Sequence, residues 1–192
     1  MRNKEKGQVI IIVAVLLVVV LTILAVIIDG ARLMVVQQEI NRAADAAGKA
    51  GLIIVGDQMV TQAVAAQTAA ASVTLTATPI GSTPGLTLTP TPAGDDFFSW
   101  INDGHRKTLV APLMQTLVAT RVLGNIEENN FGMSNPVIKG VDITYPYQYH
   151  MEDQKIQILV RIDRSVAIIF GSLFNLEEGV ISGTTKQNIP QR

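Results

Sequence analysis

Asp29 and Arg32 stand three positions apart, immediately after a long uncharged run. On a helix that spacing puts both on one face, within reach of one another. A pair of this kind either marks a water interface or grips a partner. In the second case both charges are partly desolvated, and losing one strands the other. Further on, Asp45 sits in the block Ala43-Ala44-Asp45-Ala46-Ala47, where small residues allow close approach of another backbone. Asp29, Arg32, Ala43, Ala44, Asp45 and Ala47 are therefore the candidate partner-contact residues.

Catalytic chemistry is scarce by comparison. The chain has two histidines, His105 and His150, and no cysteine. Neither histidine belongs to an H-x-x-x-H or HExxH pattern, so both read as structural or exposed. Asp95-Asp96, Glu127-Glu128, Glu152-Asp153 and Glu177-Glu178 lie in polar stretches, where adjacent carboxylates form solvated turns or helix caps. There is no phosphate-binding glycine loop, nucleophile elbow or calcium loop in the sequence. No catalytic residue, metal, cofactor or small-molecule substrate is expected, and no enzyme activity. Tyr145, Tyr147 and Tyr149 alternate along one strand face and read as core, not as a platform for a sugar or base. A net charge of −1 without a basic stripe argues against nucleic acid.

The elements that carry these residues follow from hydropathy. Val9 to Ile28 is a run of twenty residues in which Thr22 alone is polar. As a helix it spans roughly 30 Å, the thickness of a bilayer hydrocarbon core. The run is longer than a cleaved signal's apolar region and ends in Ile28-Asp29-Gly30, so a retained anchor is expected. Arg2, Lys4 and Lys6 precede it, which places residues 1–8 in the cytoplasm and the rest outside the cell membrane.

Beyond the anchor, Leu33, Val36, Ile40, Ala43, Ala47, Ala50 and Ile54 recur at alternating spacings of three and four. One helix is expected from about Gly7 to about Ile54, roughly 70 Å long. A seam this rich in alanine needs a partner surface, either the chain's own C-terminal sheet or a neighbouring subunit. The helical extension is assigned to 29–71. Residues 72–94, with seven threonines and four prolines, read as an extended linker.

Residues 95–192 read as a small extracytoplasmic domain. Asp95 or Asp96 can cap a helix starting at Phe97 and interrupted at Gly104. A second helix, with Val110, Leu113, Leu117 and Val118 on one side, ends near Gly124. Pro112 fits only in a first turn. Val141 to Tyr149 and Ile156 to Asp163 alternate as two strands joined by Met151 to Gln154. Ser165 to Leu176 is a strongly apolar segment, and Val180 to Ile189 is a third strand. The expected fold class is α+β: a long N-terminal transmembrane helix of pilin-like form, the linker, and a small antiparallel sheet packed with helices.

Residues 6–51 resemble the N-terminal module of the TadE/TadG-like proteins of the tight-adherence (Flp) pilus assembly system. The resemblance is carried by Lys6-Gly7-Gln8 before the apolar run, Ile28-Asp29-Gly30-Ala31-Arg32-Leu33 after it, and Asn41-Arg42-Ala43-Ala44-Asp45-Ala46-Ala47. Two departures stand out. The fifth residue after Gly7 is Ile12, where pilin precursors of this kind carry glutamate. The nearest approach to a D-x-S-x-S metal motif, Asp163-Arg164-Ser165-Val166-Ala167, lacks the second serine. The resemblance implies a single-pass component of pilus biogenesis or surface export, with the lipid bilayer and other pilin-like membrane proteins as partners. The alternative reading is a membrane-tethered surface binding module held away from the bilayer by the linker.

Overall fold

The computed structural model describes residues 4–73, 101–150, 155–171 and 177–189. The expectations for residues 74–100, for the Met151–Gln154 connection and for 172–176 lie outside the described residues. Among the described residues the order is α1 (Lys4–Val73), α2 (Asp103–Leu109), α3 (Pro112–Glu128), β1 (Ile138–Thr144), β2 (Gln157–Ala167) and β3 (Glu178–Asn188). The strands form one antiparallel sheet in the order β1-β2-β3. This is an α+β arrangement built on one long helix.

α1 runs 70 residues without a break, well beyond the expected end near Ile54. It also takes in positions 72 and 73, which the sequence assigns to the linker. No proline interrupts it, and the alanines at 63, 65, 66 and 69–71 favour continued helix. Its N-terminal part is long and apolar enough to cross a membrane. The large side chains from Val9 to Ile28 are 46–70% exposed, so no part of the described structure packs on them.

Beyond Asp29 the same helix becomes the centre of a core. Val36, Ile40, Ala43, Ala44, Ala47, Leu52, Val55, Met59 and Ala63 are buried together with residues of α3 and β2. The seam's partner is thus the chain's own sheet and helices. Leu33 and Ile54, its expected ends, are only partly buried. Two close approaches require glycine. A Cβ on Gly183 of β3 would lie 2.4 Å from Ile40 Cγ2 of α1, and one on Gly51 of α1 would lie 2.7 Å from Val122 Cγ2 of α3.

α2 is capped by Asn102, whose side chain accepts from the His105 N–H at 2.9 Å while His105 Nδ1 accepts from the Asn102 N–H at 3.4 Å. Gly104 lies in the first turn of this helix and does not interrupt one. Pro112 occupies the first turn of α3, as required. α3 buries Met114, Val118, Val122 and Ile126, runs past Gly124 to Glu128, and leaves Leu113 and Leu117 exposed. Of the expected face, Val118 is buried and Leu113 and Leu117 are not. The row through Leu113 and Leu117 ends in Arg121 and Asn125, whereas Met114, Val118, Val122 and Ile126 stay apolar throughout and pack on α1.

β2 is the central strand, with Ile158, Val160 and Ile162 fully buried. Its register with β1 shifts between Ile138 and Gly140, and it pairs along its whole length with β3. β1 stops at Thr144, short of the tyrosines, because Pro146 has no N–H to give a ladder. β2 continues four residues past Asp163, taking Ser165, Val166 and Ala167 out of the expected apolar segment.

Candidate functional site

Asp29 is buried, 8% exposed, at the end of the bare stretch of α1. Its two carboxylate oxygens accept the backbone N–H groups of Ile169 (3.1 Å) and Phe170 (2.9 Å). Arg32, one turn on, donates to the carbonyl of Ala167 at 3.3 Å. The acid and the base therefore hold the donors and an acceptor of one short stretch, the turn leaving β2. Hydrogen bonds to an ionised carboxylate are about twice as strong as neutral ones. The three-residue spacing does place both side chains on one face. Their contacts, however, lie within this chain.

Asp45 follows the same pattern further along the helix. It accepts from Lys49 Nζ at 2.6 Å, from Thr185 Oγ1 at 3.5 Å and from Gln187 Nε2. Ala43, Ala44 and Ala47 around it are buried, so this block packs within the protein. Two further contacts complete a polar line between α1 and the sheet. Gln37 Nε2 donates to the Ser182 carbonyl at 2.8 Å, and Arg164 reaches Glu39 at 3.3 Å. Sequence reasoning brought out Asp29, Arg32 and Asp45 but missed what they touch. The receiving side is mostly backbone, which has no signature. The one available signal was the apolar segment after Ser165, which breaks the alternation of the flanking strands.

Several other titratable groups are tied into local structure. Glu127 accepts from Ser134 Oγ at 2.6 Å, and Glu178 from Ser165 Oγ at 3.0 Å. His150 Nδ1 lies 3.1 Å from the Gln148 carbonyl. Tyr145 donates its hydroxyl to the Leu109 carbonyl at 2.8 Å, and burial, with Tyr149 nearby, raises its phenol above the ordinary range. Tyr147 has Lys186 Nζ 5.0 Å above its ring, and Tyr149 packs against the core. Asp163 is held below the usual carboxylate range by the Ser182 hydroxyl and by Arg161, which it meets at 2.9 Å. Among the described residues no three His, Cys, Asp or Glu side chains are grouped to hold a metal ion. These groups can cross-link elements.

In comparison with known proteins, no family model matches the chain, and no curated protein or solved structure matches it either.

Proposed function

We propose that this chain is a single-pass membrane protein with a structural, non-catalytic role in pilus biogenesis or surface export, resembling minor pilin-like components. α1 would span the bilayer with its N-terminus in the cytoplasm and the packed head outside. The observation that carries this reading is the division of one helix into a bare apolar length and a length that forms the head's own core. A stretch of twenty almost wholly apolar residues, with every large side chain exposed and only Ala25 buried, matches lipid. A head built directly on the same helix is suited to transmitting position and load, as an assembly component does.

The tethered-module alternative is less well supported. Ile101, the first described residue after position 73, is buried in the same core as Met59 and Ala63 of α1. The described chain on both sides of the Thr/Pro-rich segment thus belongs to one packed core. Copurification of the tagged full chain from native membranes tests the proposal. Recovery of other pilin-like membrane proteins or secretion components supports it. Recovery of the chain alone, at native expression and in mild detergent, overturns the assembly role and leaves a tethered surface domain.

A further inference from the structure

We infer that the turn after β2, Ile168 to Gly171, is a second membrane contact, resting in the headgroup and acyl-chain boundary of the leaflet where α1 leaves the bilayer. The inference rests on the spanning reading of α1 and adds a separate surface to it.

Three observations converge on this turn. Its depth is set by Asp29, the first charged residue after the apolar run, which accepts the N–H groups of Ile169 and Phe170. Its composition is apolar where the flanking strands are polar on their outward face. Ile168 lies within 3.6 Å of the Cβ position of Gly179, and its N–H donates to the Glu177 carbonyl at 3.0 Å, which closes the turn. Phe170 is half-buried, whereas Ile169 is 55% exposed. Third, the Asp29 bond holds Ile169 beside the head-proximal end of the apolar run, where Leu24, Ile27 and Ile28 are all about half exposed. Ala25, one turn below Asp29 on the same face, is buried, so the cover over α1 at this point extends into the apolar span.

An isolated exposed isoleucine means little. This one is held at Asp29, next to the end of a run that is already apolar and suited to lipid. The backbone donors that would be costly near hydrocarbon are taken by Asp29. The Ala167 carbonyl is likewise occupied by Arg32. A turn whose N–H groups are taken at Ile168, Ile169 and Phe170, with an exposed apolar side chain, is a form in which irregular backbone tolerates the interface. The partner is the bilayer surface itself, without demand for a particular headgroup.

The chain's lack of cysteine makes the test direct. Ile169→Cys, Val15→Cys and Leu113→Cys are each labelled with an environment-sensitive fluorophore in the full chain. Each is reconstituted in phosphatidylcholine vesicles carrying quenchers at shallow or deep acyl positions. All three sites are exposed, so unchanged thermal melting of the labelled chains verifies that each folds. The expected result is loss of most fluorescence at 15 with deep quenchers, loss of most at 169 with shallow ones, and no loss at 113. Quenching at 15 without quenching at 169 overturns the inference and leaves the spanning reading intact. No quenching at 15 removes the spanning reading and the inference with it.

Discussion

The two lengths of α1 have the same backbone and opposite surroundings. From Val9 to Ile28 every large side chain is open. From Val36 to Ala63 a stripe of alanines and larger apolar residues is sealed by β2, β3 and α3. Propensity does not distinguish them, since both are good helix. What differs is the width of the apolar surface. An apolar circumference has no side to give to water and matches a uniformly apolar solvent. A stripe with charges opposite needs a folded cover. In this chain the change falls at Asp29, whose carboxylate joins the helix to the head at the point where the environment changes.

The largest expected effect separates the two lengths directly. Ile40 is fully buried and Ile12 is 65% exposed. Ile40→Ala is expected to destabilise the head by about 2–5 kcal/mol, as large-to-small core changes do. Ile12→Ala is expected to leave the head's urea midpoint unchanged. Equal losses from the two would break the division.

A smaller effect lies at the junction. Asp29→Ala removes the acceptor of two part-buried N–H groups, which water can partly replace, at a cost of about 0.5–1.5 kcal/mol for each hydrogen bond lost. Asp29→Asn costs less, because one acceptor oxygen remains. The check is amide hydrogen exchange. Ile169 and Phe170 should lose protection in Asp29→Ala while the β2 amides keep theirs.

The smallest effects concern pH, and they belong to the head alone, since Val9 to Ile28 contains no titratable side chain. The Tyr145 phenol is raised by burial and by Tyr149. Its contribution is fully present below the ordinary phenol range and is lost as pH climbs toward the folded value. Tyr145→Phe should flatten that alkaline decline. Asp163 is depressed, so its contribution is present above the ordinary carboxylate range and is lost as pH falls through the folded value. Because Arg161 is half exposed, the gain is small. Asp163→Asn should reduce the acid limb only slightly in a series of unfolding midpoints against pH.

Much of the scaffold was legible because it rests on periodicity. The apolar run, the seam from Val36 to Ala50 and the three strands can all be read from side-chain alternation. The seam went astray at its ends for a geometric reason. A strict heptad drifts about 20° per repeat on a straight helix, so the buried stripe moves from Ala47 and Ala50 to Leu52, Val55 and Met59. In α3 the expected face took Leu113 and Leu117 along with Val118; the buried row is the one that stays apolar over its whole length, Met114, Val118, Val122 and Ile126, while the other runs into Arg121 and Asn125. β1 was extended too far because Tyr145, Tyr147 and Tyr149 keep the alternation after Pro146 has ended the ladder. The site was half legible. Asp29, Arg32 and Asp45 announced themselves as charges in apolar company. The atoms they hold are main chain and amide groups some 140 positions away in sequence, and local pattern carries no information about those.

An unbroken α1 also makes the molecule a lever. Val73 lies 45 residues beyond Ile28 in the same helix, roughly 68 Å at about 1.5 Å per residue. Spanning helices tilt by about 20° from the bilayer normal, with mismatch between apolar length and bilayer thickness as one cause. With no hinge between fulcrum and tip, that angle swings the far end sideways by about 23 Å. The Asp29 link obliges the sheet to swing with it. Bilayer thickness would thereby set the reach and heading of the head, with no moving joint in between.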